Sequence, residues 1–324
     1  ESEWSFRLPS ILAGILAVPL TYLVGLKFLN SRFASFIAAL LILLSKPHLI
    51  YSQAGRGYAL TVLLALLFIW SIGKLIESQN NLVDAPLFFI SGIGLVMTLP
   101  SNAVFLAGSA IFSVFLILDR KENSPQPVSI LFKKLTFYYL VLLFAVTYYL
   151  YGIQEGLQTG VQNYSVKSTG SNGLLEIIDQ LMTPFGYWIY LFFFLGVFFF
   201  TNRKLLFAFL SLLVVPTIIL FLIGATIFSR IYIFLLPFIF FVSAVGIDSL
   251  FNKLLCTRHN LKAIVALVLL GLLFTPVVNF WIQYYPSRTN VKEATLYEAQ
   301  LISDTIKDNT SKNVLVVSLL GNKE

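Results

Sequence analysis

Long apolar runs with almost no charge recur along this chain and limit what it can fold into. Several of them reach the roughly 18–20 residues that an α-helix needs to cross a bilayer. Only 11% of the 324 residues are charged and 58% are hydrophobic, whereas a soluble domain carries about 25% charged residues. The sequence therefore predicts an all-α, polytopic membrane helix bundle.

The apolar runs predict about ten membrane spans in one transmembrane domain, residues 1–282, with short polar turns between the spans. The predicted spans cover residues 9–28, 33–50, 57–76, 84–98, 101–118, 135–151, 185–200, 205–223, 231–250 and 263–281. Each pair of consecutive spans returns the chain to the same side of the membrane, so the turns fall into two sets.

Two segments depart from this pattern. Residues 152–183 form a long loop with five glycines, and its second half has the spacing of an amphipathic helix on the outer membrane surface. That helix either only closes the loop or covers a site as a lid, since loops longer than about 12–15 residues are often functional. Residues 283–324 contain a helix-like stretch followed by Val314–Val317, which is strand-like. The tail is therefore predicted to begin an extracytoplasmic α/β domain.

Basic residues predict the orientation of the bundle. Twelve of the 22 fall in one set of turns and five in the other, before the tail. Lys and Arg in short loops favour the cytoplasmic side, so the side with twelve is predicted to be cytoplasmic. The five on the extracytoplasmic side are Arg7, Lys46, Arg56, Lys167 and Arg230. The protein is thus expected to be a multi-pass integral membrane protein, of the plasma or inner membrane if bacterial.

Several classes of function are disfavoured. The net charge of +7 fits the positive-inside rule better than nucleic-acid binding. The single cysteine, Cys256, excludes an intrachain disulfide. His48 and His259 lie on opposite predicted sides of the membrane, so they cannot share a metal. A divalent metal or other cofactor is not indicated by this sequence.

A polar island, Tyr51–Leu60, separates the second and third predicted spans and contains Arg56. Arg7 and Arg230 lie at the extracytoplasmic ends of other spans, so three guanidinium groups are candidates to bind a phosphate or diphosphate group through charge-assisted hydrogen bonds. The alternative is that each arginine only extends to lipid head groups from a helix end. Lys46 and His48 are interpreted as residues of the membrane interface. Secondary candidates for substrate binding are Gln53, Tyr58 and Tyr232.

The chain has 15 acidic residues, but none lies inside a predicted span, since Asp84 and Asp248 are at span ends on the predicted cytoplasmic side. This argues against a proton-coupled transporter, in which buried carboxylates are expected. If group transfer needs a general base, only the amino-terminal edge and the long loop offer one within this chain.

The polar motifs on the extracytoplasmic side resemble a known family. They are Arg7-Leu8-Pro9-Ser10 with Ala13-Gly14, then Tyr51-Ser52-Gln53-Ala54-Gly55-Arg56-Gly57-Tyr58-Ala59-Leu60, then Ser229-Arg230-Ile231-Tyr232 with Leu236-Pro237. In this order they are similar to the dolichyl-phosphate-mannose protein mannosyltransferase-like proteins, glycosyltransferase family 39 of the GT-C superfamily. The resemblance covers about residues 1–285. It implies that the chain is a segment lacking the first membrane helix and most of the first outer loop.

The resemblance implies a membrane glycosyltransferase. Such an enzyme moves a sugar, with inversion, from a polyprenyl-phosphate carrier to a lipid, glycan or protein acceptor outside the cytoplasm. It also implies that Arg56, with Arg230 or Arg7, stabilises charge on the departing phosphate, and that an acidic base lies before Glu1. Ala54 stands where many relatives carry Glu, and Tyr58 where some carry Asp.

Two other functions stay open at this point. A transporter or flippase of a lipid-linked saccharide needs the same basic outer cavity, but also a polar path through the spans, and the spans show almost no polar groups. A non-enzymatic membrane scaffold needs neither, and its arginines only extend to head groups.

The predicted orientation is testable by cysteine labelling in a Cys256→Ser background. We expect Gln53→Cys to react with a membrane-impermeant maleimide in intact cells, and Ser124→Cys to react only after permeabilisation, because the two residues lie on opposite predicted sides. Labelling of Ser124→Cys in intact cells would reverse the assignment.

Overall fold

The computed structural model describes residues 3–77, 83–119, 127–154, 181–182, 185, 187–222, 229–254, 271, 275 and 277–282. Over these residues the regular structure is entirely helical. The α-helices are α1 (Glu3–Leu29), α2 (Arg32–Leu44), α3 (Lys46–Gln53), α4 (Tyr58–Glu77), α5 (Asp84–Thr98), α6 (Ala103–Asp119), α7 (Val128–Gly152), α8 (Tyr187–Phe199), α9 (Arg203–Leu222) and α10 (Leu236–Leu254). Two 3₁₀ turns, Pro100–Asn102 and Ser229–Leu235, precede α6 and α10.

Six helices of the described chain are long and apolar enough to cross a membrane: α1, α4, α6, α7, α9 and α10. Two other apolar helices, α5 and α8, have 15 and 13 residues. At 1.5 Å per residue they extend about 20–23 Å, which is less than the roughly 30 Å hydrocarbon core. The bundle is therefore that of a multi-pass membrane protein, with six such helices, or seven if the bent pair α2–α3 counts as one span.

The second predicted span, residues 33–50, is not one straight helix. It divides into α2 and α3, whose axes differ by 55°. The break is at Ser45, which has an extended backbone, and Pro47 lies in the first turn of α3. Proline is tolerated there because an N–H at a helix start has no intrahelical acceptor, whereas deeper inside a continuous helix it would remove a hydrogen bond.

Helix α1 begins at Glu3, earlier than the apolar run that starts at Pro9. Pro9 lies inside the helix, as does Pro19. The first turn of α1 is therefore polar and precedes the apolar run. Backbone hydrogen bonding can extend a helix into polar sequence, which a hydropathy pattern does not predict.

Glycine residues let two pairs of helices pack at close backbone distance. A Cβ atom added at Gly196 in α8 would collide with the carbonyl of Val242 in α10, and one added at Gly246 would collide with the carbonyl of Phe192. Gly108 lets α6 approach α9 in the same way, since a Cβ added there would lie only 2.9 Å from the carbonyl oxygen of Ser211. Small residues allow such backbone contact between membrane helices.

One end of the bundle, the lysine-rich end, is held by polar contacts. These are Lys27 Nζ to Glu77 Oε2 at 2.5 Å, Ser31 Oγ to Asp248 Oδ2 at 2.8 Å, Lys134 Nζ to the Leu75 carbonyl at 2.9 Å, and Asn202 Nδ2 to Asp119 Oδ2 at 2.6 Å. The residues that were predicted to be cytoplasmic therefore share one end within the described helices. The side of the membrane that this end faces stays a prediction.

The chain divides into two compact units, Glu1–Leu273 and Phe274–Glu324. Within the described part of the second unit, 277–282 is helical and the rings of Phe280 and Trp281 meet edge to face, 5.1 Å apart. The predicted amphipathic helix of residues 152–183 lies almost wholly outside the described residues. So do most of the span near 263–281 and the tail 283–324.

The glycine contact between α8 and α10 leads to a stability prediction. We expect Gly246→Ala to lower the free energy of unfolding by about 1–3 kcal/mol, the usual cost of overpacking. Gly152→Ala is the matched control, because Gly152 ends α7 and a Cβ there would meet nothing within 4 Å. Thermal unfolding in detergent measures both, and equal melting temperatures for the two variants would contradict the packing.

Candidate functional site

The polar island forms a tight turn between two helices at the end of the bundle opposite the lysine-rich end. Helix α3 stops at Gln53 and α4 starts at Tyr58. Gly55 has a φ of 62°, a left-handed conformation that glycine adopts without the strain that a Cβ would bring. The side chains of Gln53 and Arg56 are exposed. The turn therefore presents a guanidinium group outside the packed interior.

Helix α1 holds the island in place. Ser10 Oγ donates a hydrogen bond of 2.8 Å to the carbonyl of Arg56. One turn further along α1, the carbonyl of Gly14 accepts a 3.2 Å hydrogen bond from His48 Nε2 in α3. A Cβ on Gly14 would collide with Ser52, so glycine is needed for this approach. The backbone of Arg56 is thus fixed even though its side chain is exposed.

The break between α5 and α6 lies next to the start of α4 and contains buried polar groups. Asn102 is fully buried, and its Nδ2 donates to the Leu95 carbonyl at 2.8 Å and to Thr61 Oγ1 at 3.2 Å. A Cβ at Gly57 would lie 3.0 Å from Thr98 Cγ2. The first turn of α4 is therefore packed directly against this break.

The turn Ser229–Leu235 closes the same end of the bundle. It packs against α3, α4 and the turn Pro100–Asn102. Tyr232 is only 2% exposed, whereas the side chain of Arg230 lies outside the described part of the structure. The segment that carries Arg230 and Tyr232 thus meets the element that leads into the island.

The predicted site residues are therefore distributed over neighbouring elements at one end. Arg7 is half-buried and lies one turn before Ser10, which contacts the Arg56 backbone. Tyr58 is 8% exposed and packs against Tyr51, with ring centroids 4.7 Å apart. The assignment of Arg7, Arg56 and Arg230 to one site stays a prediction.

An apolar cavity of about 360 Å³ lies between α8, α9 and the segment that leads into α10. Its lining includes Tyr190, Phe193, Val214, Thr217, Tyr232 and Ile239. Tyr232 therefore borders this cavity and also belongs to the turn that packs against α3 and α4, the helices on either side of the turn at Gly55. Such a cavity suits a hydrocarbon chain, because its walls offer almost no polar partner.

Carboxylates are placed away from the island. Those whose side chains the structure describes, Glu77, Asp84, Asp119 and Asp248, lie on elements at the lysine-rich end. Within the described residues, no group of three or more His, Cys, Asp or Glu side chains is arranged to hold a metal ion. A general base for chemistry at the island is therefore not supplied by these four residues.

Sequence reasoning missed three buried polar residues at this end. His48 was interpreted as interfacial, but it is 2% exposed, because its ring enters the α1–α3 contact. Asn102 and Thr61 were given no role, because the residues around them carry no signal of the hydrogen bond that joins them. Pro100 predicts the break between the two spans, but it does not predict which residues the break contacts.

Comparison of the chain with protein-family models, with curated proteins and with solved structures gave no match.

The left-handed turn at Gly55 can be tested by substitution. We expect Gly55→Ala to destabilise the protein by about 1–2 kcal/mol, the cost of a left-handed conformation in a residue with a Cβ. Gly55→Asn is the matched control, since Asn adopts this conformation more readily. Melting temperatures in detergent should rank wild type, then Asn, then Ala, and an unaltered Ala variant would argue against the turn.

Proposed function

We propose that this protein is a membrane glycosyltransferase. It takes a sugar from a polyprenyl-phosphate-linked donor and transfers it, with inversion, to a lipid, glycan or protein acceptor on the extracytoplasmic side. The observation that carries the proposal is the arrangement at the island end, where an exposed Arg56 on a fixed backbone neighbours a turn bordering an apolar cavity. The motifs that resemble glycosyltransferase family 39 lie on these same elements.

The island supports a role in binding the donor phosphate. The backbone of Arg56 is held by Ser10 and its side chain is free of the packed interior, so the guanidinium group can meet a phosphate without unfolding any helix. Guanidinium forms bidentate, charge-assisted hydrogen bonds with phosphate oxygens. Arg7 and Arg230 belong to the neighbouring elements and are proposed as additional phosphate ligands.

The apolar cavity supports a role in binding the lipid chain of the same donor. In a membrane protein, hydrocarbon is the solvent that surrounds such a cavity. Tyr232 borders the cavity within the turn Ser229–Leu235. We propose that a polyprenyl chain lies in the cavity with its phosphate end toward the elements that carry Arg56 and Arg230.

The reaction balances as a single displacement. The acceptor oxygen forms a bond to the anomeric carbon while the bond from that carbon to the phosphate oxygen breaks. The electron pair leaves with the polyprenyl phosphate, where Arg56 stabilises the charge, and the acceptor proton goes to a carboxylate base other than the four at the lysine-rich end. Electrostatic help of this preorganised kind is often the largest contribution to catalysis.

The proposed architecture has about ten spans. In addition to the six long helices, α5, α8, the bent pair α2–α3 and the segment near 263–281 are proposed to cross the membrane. The island end is then extracytoplasmic, since the lysine-rich end follows the positive-inside rule. The residues from 283 onward are proposed to begin an extracytoplasmic domain.

Sugar transfer by arginine variants tests the proposal. Labelled polyprenyl-phosphate sugars are added to membranes that contain the protein and its native acceptors, and glycosylated product is measured. We expect Arg56→Ala to lower turnover by about 100-fold or more, the usual effect of removing one donor to a developing anion. Arg56→Lys should retain part of the activity, because it keeps the charge but not the bidentate geometry.

Arg32→Ala is the matched control, because Arg32 is an exposed arginine at the lysine-rich end and should leave turnover unchanged. Undiminished transfer by an Arg56→Ala protein that inserts normally would exclude the assigned role. Movement of labelled lipid across the bilayer without product would instead favour a flippase.

A further inference from the structure

The apolar cavity lies in the half of the bundle away from the lysine-rich end. Asn202, just after α8, binds Asp119 at the lysine-rich end, and α9 begins at the next residue. Helix α8 therefore runs toward that end and α9 runs away from it. The cavity is lined by positions 189–194, early in α8, and by positions 213–218, late in α9. Both stretches are the parts of their helices farther from the lysine-rich end.

The cavity has a deep end and an island-side end. Because α9 runs away from the lysine-rich end, Val214 lies about 6 Å deeper along the helix axis than Ile218, four residues later. Tyr232 lies on the turn Ser229–Leu235, which packs against α3 and α4 on either side of the turn at Gly55. A chain that enters from the island side therefore passes Tyr232 and Ile218 before it reaches Val214.

One side of the cavity is open to the surroundings of the bundle. Phe194 of α8 and Val214 and Ile218 of α9 line the cavity, and all three side chains are also exposed. In a membrane the medium at this side is hydrocarbon. A chain longer than the cavity can therefore continue into the lipid without meeting water.

The volume of the cavity limits how much of a chain it contains. It is about 360 Å³, whereas an engineered apolar cavity of about 150 Å³ in another protein binds one benzene molecule, which has six carbons. At the same density this cavity takes about 14 carbons, which is close to three isoprene units of five carbons each. The rest of a longer polyprenyl chain must lie outside the cavity.

The position of the cavity selects which end of a lipid it receives. The exposed side chain of Arg56 belongs to the turn between α3 and α4, the helices against which the turn bearing Tyr232 packs. An anionic head group at Arg56 and a chain in the cavity are thus held by adjoining elements, so the carbons nearest the head group enter the cavity. We propose that the cavity binds only the first isoprene units of the polyprenyl-phosphate donor, about three of them, an inference that rests on the function proposed above. The protein then accepts chains of farnesyl length or longer without distinguishing them.

The dependence of activity on chain length follows from this proposal. Each isoprene unit up to the third gains contacts with the cavity walls, whereas later units only exchange one hydrocarbon environment for another. The donors for the test are dimethylallyl, geranyl, farnesyl, geranylgeranyl and undecaprenyl phosphates that carry whichever of glucose, mannose or aminoarabinose the wild-type protein transfers. Product formed in membranes that contain the native acceptors gives kcat/KM for each donor.

Val214→Phe shortens the cavity at its deep end. The substitution adds four side-chain carbons, close to one isoprene unit, at a position that lines the cavity. The ratio of kcat/KM in the variant to that in wild type cancels differences in how the donors partition into the membrane. We expect this ratio to stay near one for the dimethylallyl and geranyl donors. It should fall at least about 5-fold for the farnesyl donor, the lower end of the usual cost of overpacking, and by the same factor for the two longer donors.

Val141→Phe is the matched control. Val141 is exposed on α7, a helix that contributes none of the described lining residues of this cavity. The same substitution there should leave the ratio near one for every donor. If Val214→Phe does not fold, Phe194→Trp replaces it, because Phe194 is the last lining residue of α8 and also lies at the deep end. The same step at the farnesyl donor is then expected.

The outcomes separate the chain assignment from the proposed function. A ratio near one at every chain length would mean that a membrane lipid occupies the cavity instead of the donor. An equal loss at every length would mean that the substitution acts on the fold, and a loss that grows beyond the farnesyl donor would mean that more of the chain is bound. Each of these results overturns the chain assignment and leaves transfer by the wild-type protein intact. A wild-type protein that transfers none of the three sugars contradicts the proposed function, and the chain assignment with it.

Discussion

The bundle depends on the rule that a backbone polar group in hydrocarbon must be satisfied by the protein itself. At the island, α3 ends and α4 begins within a few residues, so backbone groups there lose their intrahelical partners. Ser10 supplies the missing donor to the Arg56 carbonyl, and α4 begins at once with the bond from Thr61 N to the Gly57 carbonyl at 2.8 Å. Because the Arg56 and Gly57 carbonyls both accept hydrogen bonds, the turn can expose the charged Arg56 side chain without leaving either carbonyl unpaired.

Much of the helical architecture was predictable from the sequence. The predicted span 84–98 coincides with α5, and the break at Pro100 is present. These features follow from local rules, namely apolar length and proline chemistry. The bend between α2 and α3 was missed because Pro47 begins a short second helix within one continuous apolar run. Such a bend is decided by packing, which a hydropathy pattern does not contain.

The candidate site was predictable only in part. Arg56 and Gly55 stand out because a polar stretch between apolar runs is visible in the sequence. The role of His48 in the α1–α3 contact is not visible, because its partner is a backbone carbonyl 34 residues away. Asn102 is hidden for the same reason, since its contact with Thr61 joins residues 41 apart. Local patterns identify exposed functional groups more readily than buried ones.

The glycine contacts have a consequence for movement in the bundle. Gly196 and Gly246 join α8 to α10 at backbone distance, and Gly108 joins α6 to α9. Each pair is close-packed, so neither can separate without losing contacts along its length. The apolar cavity lies where α9, from one pair, faces α8 and α10, from the other. We therefore expect the seam between the two pairs, where the cavity lies, to open to the surrounding lipid before either glycine-packed pair separates.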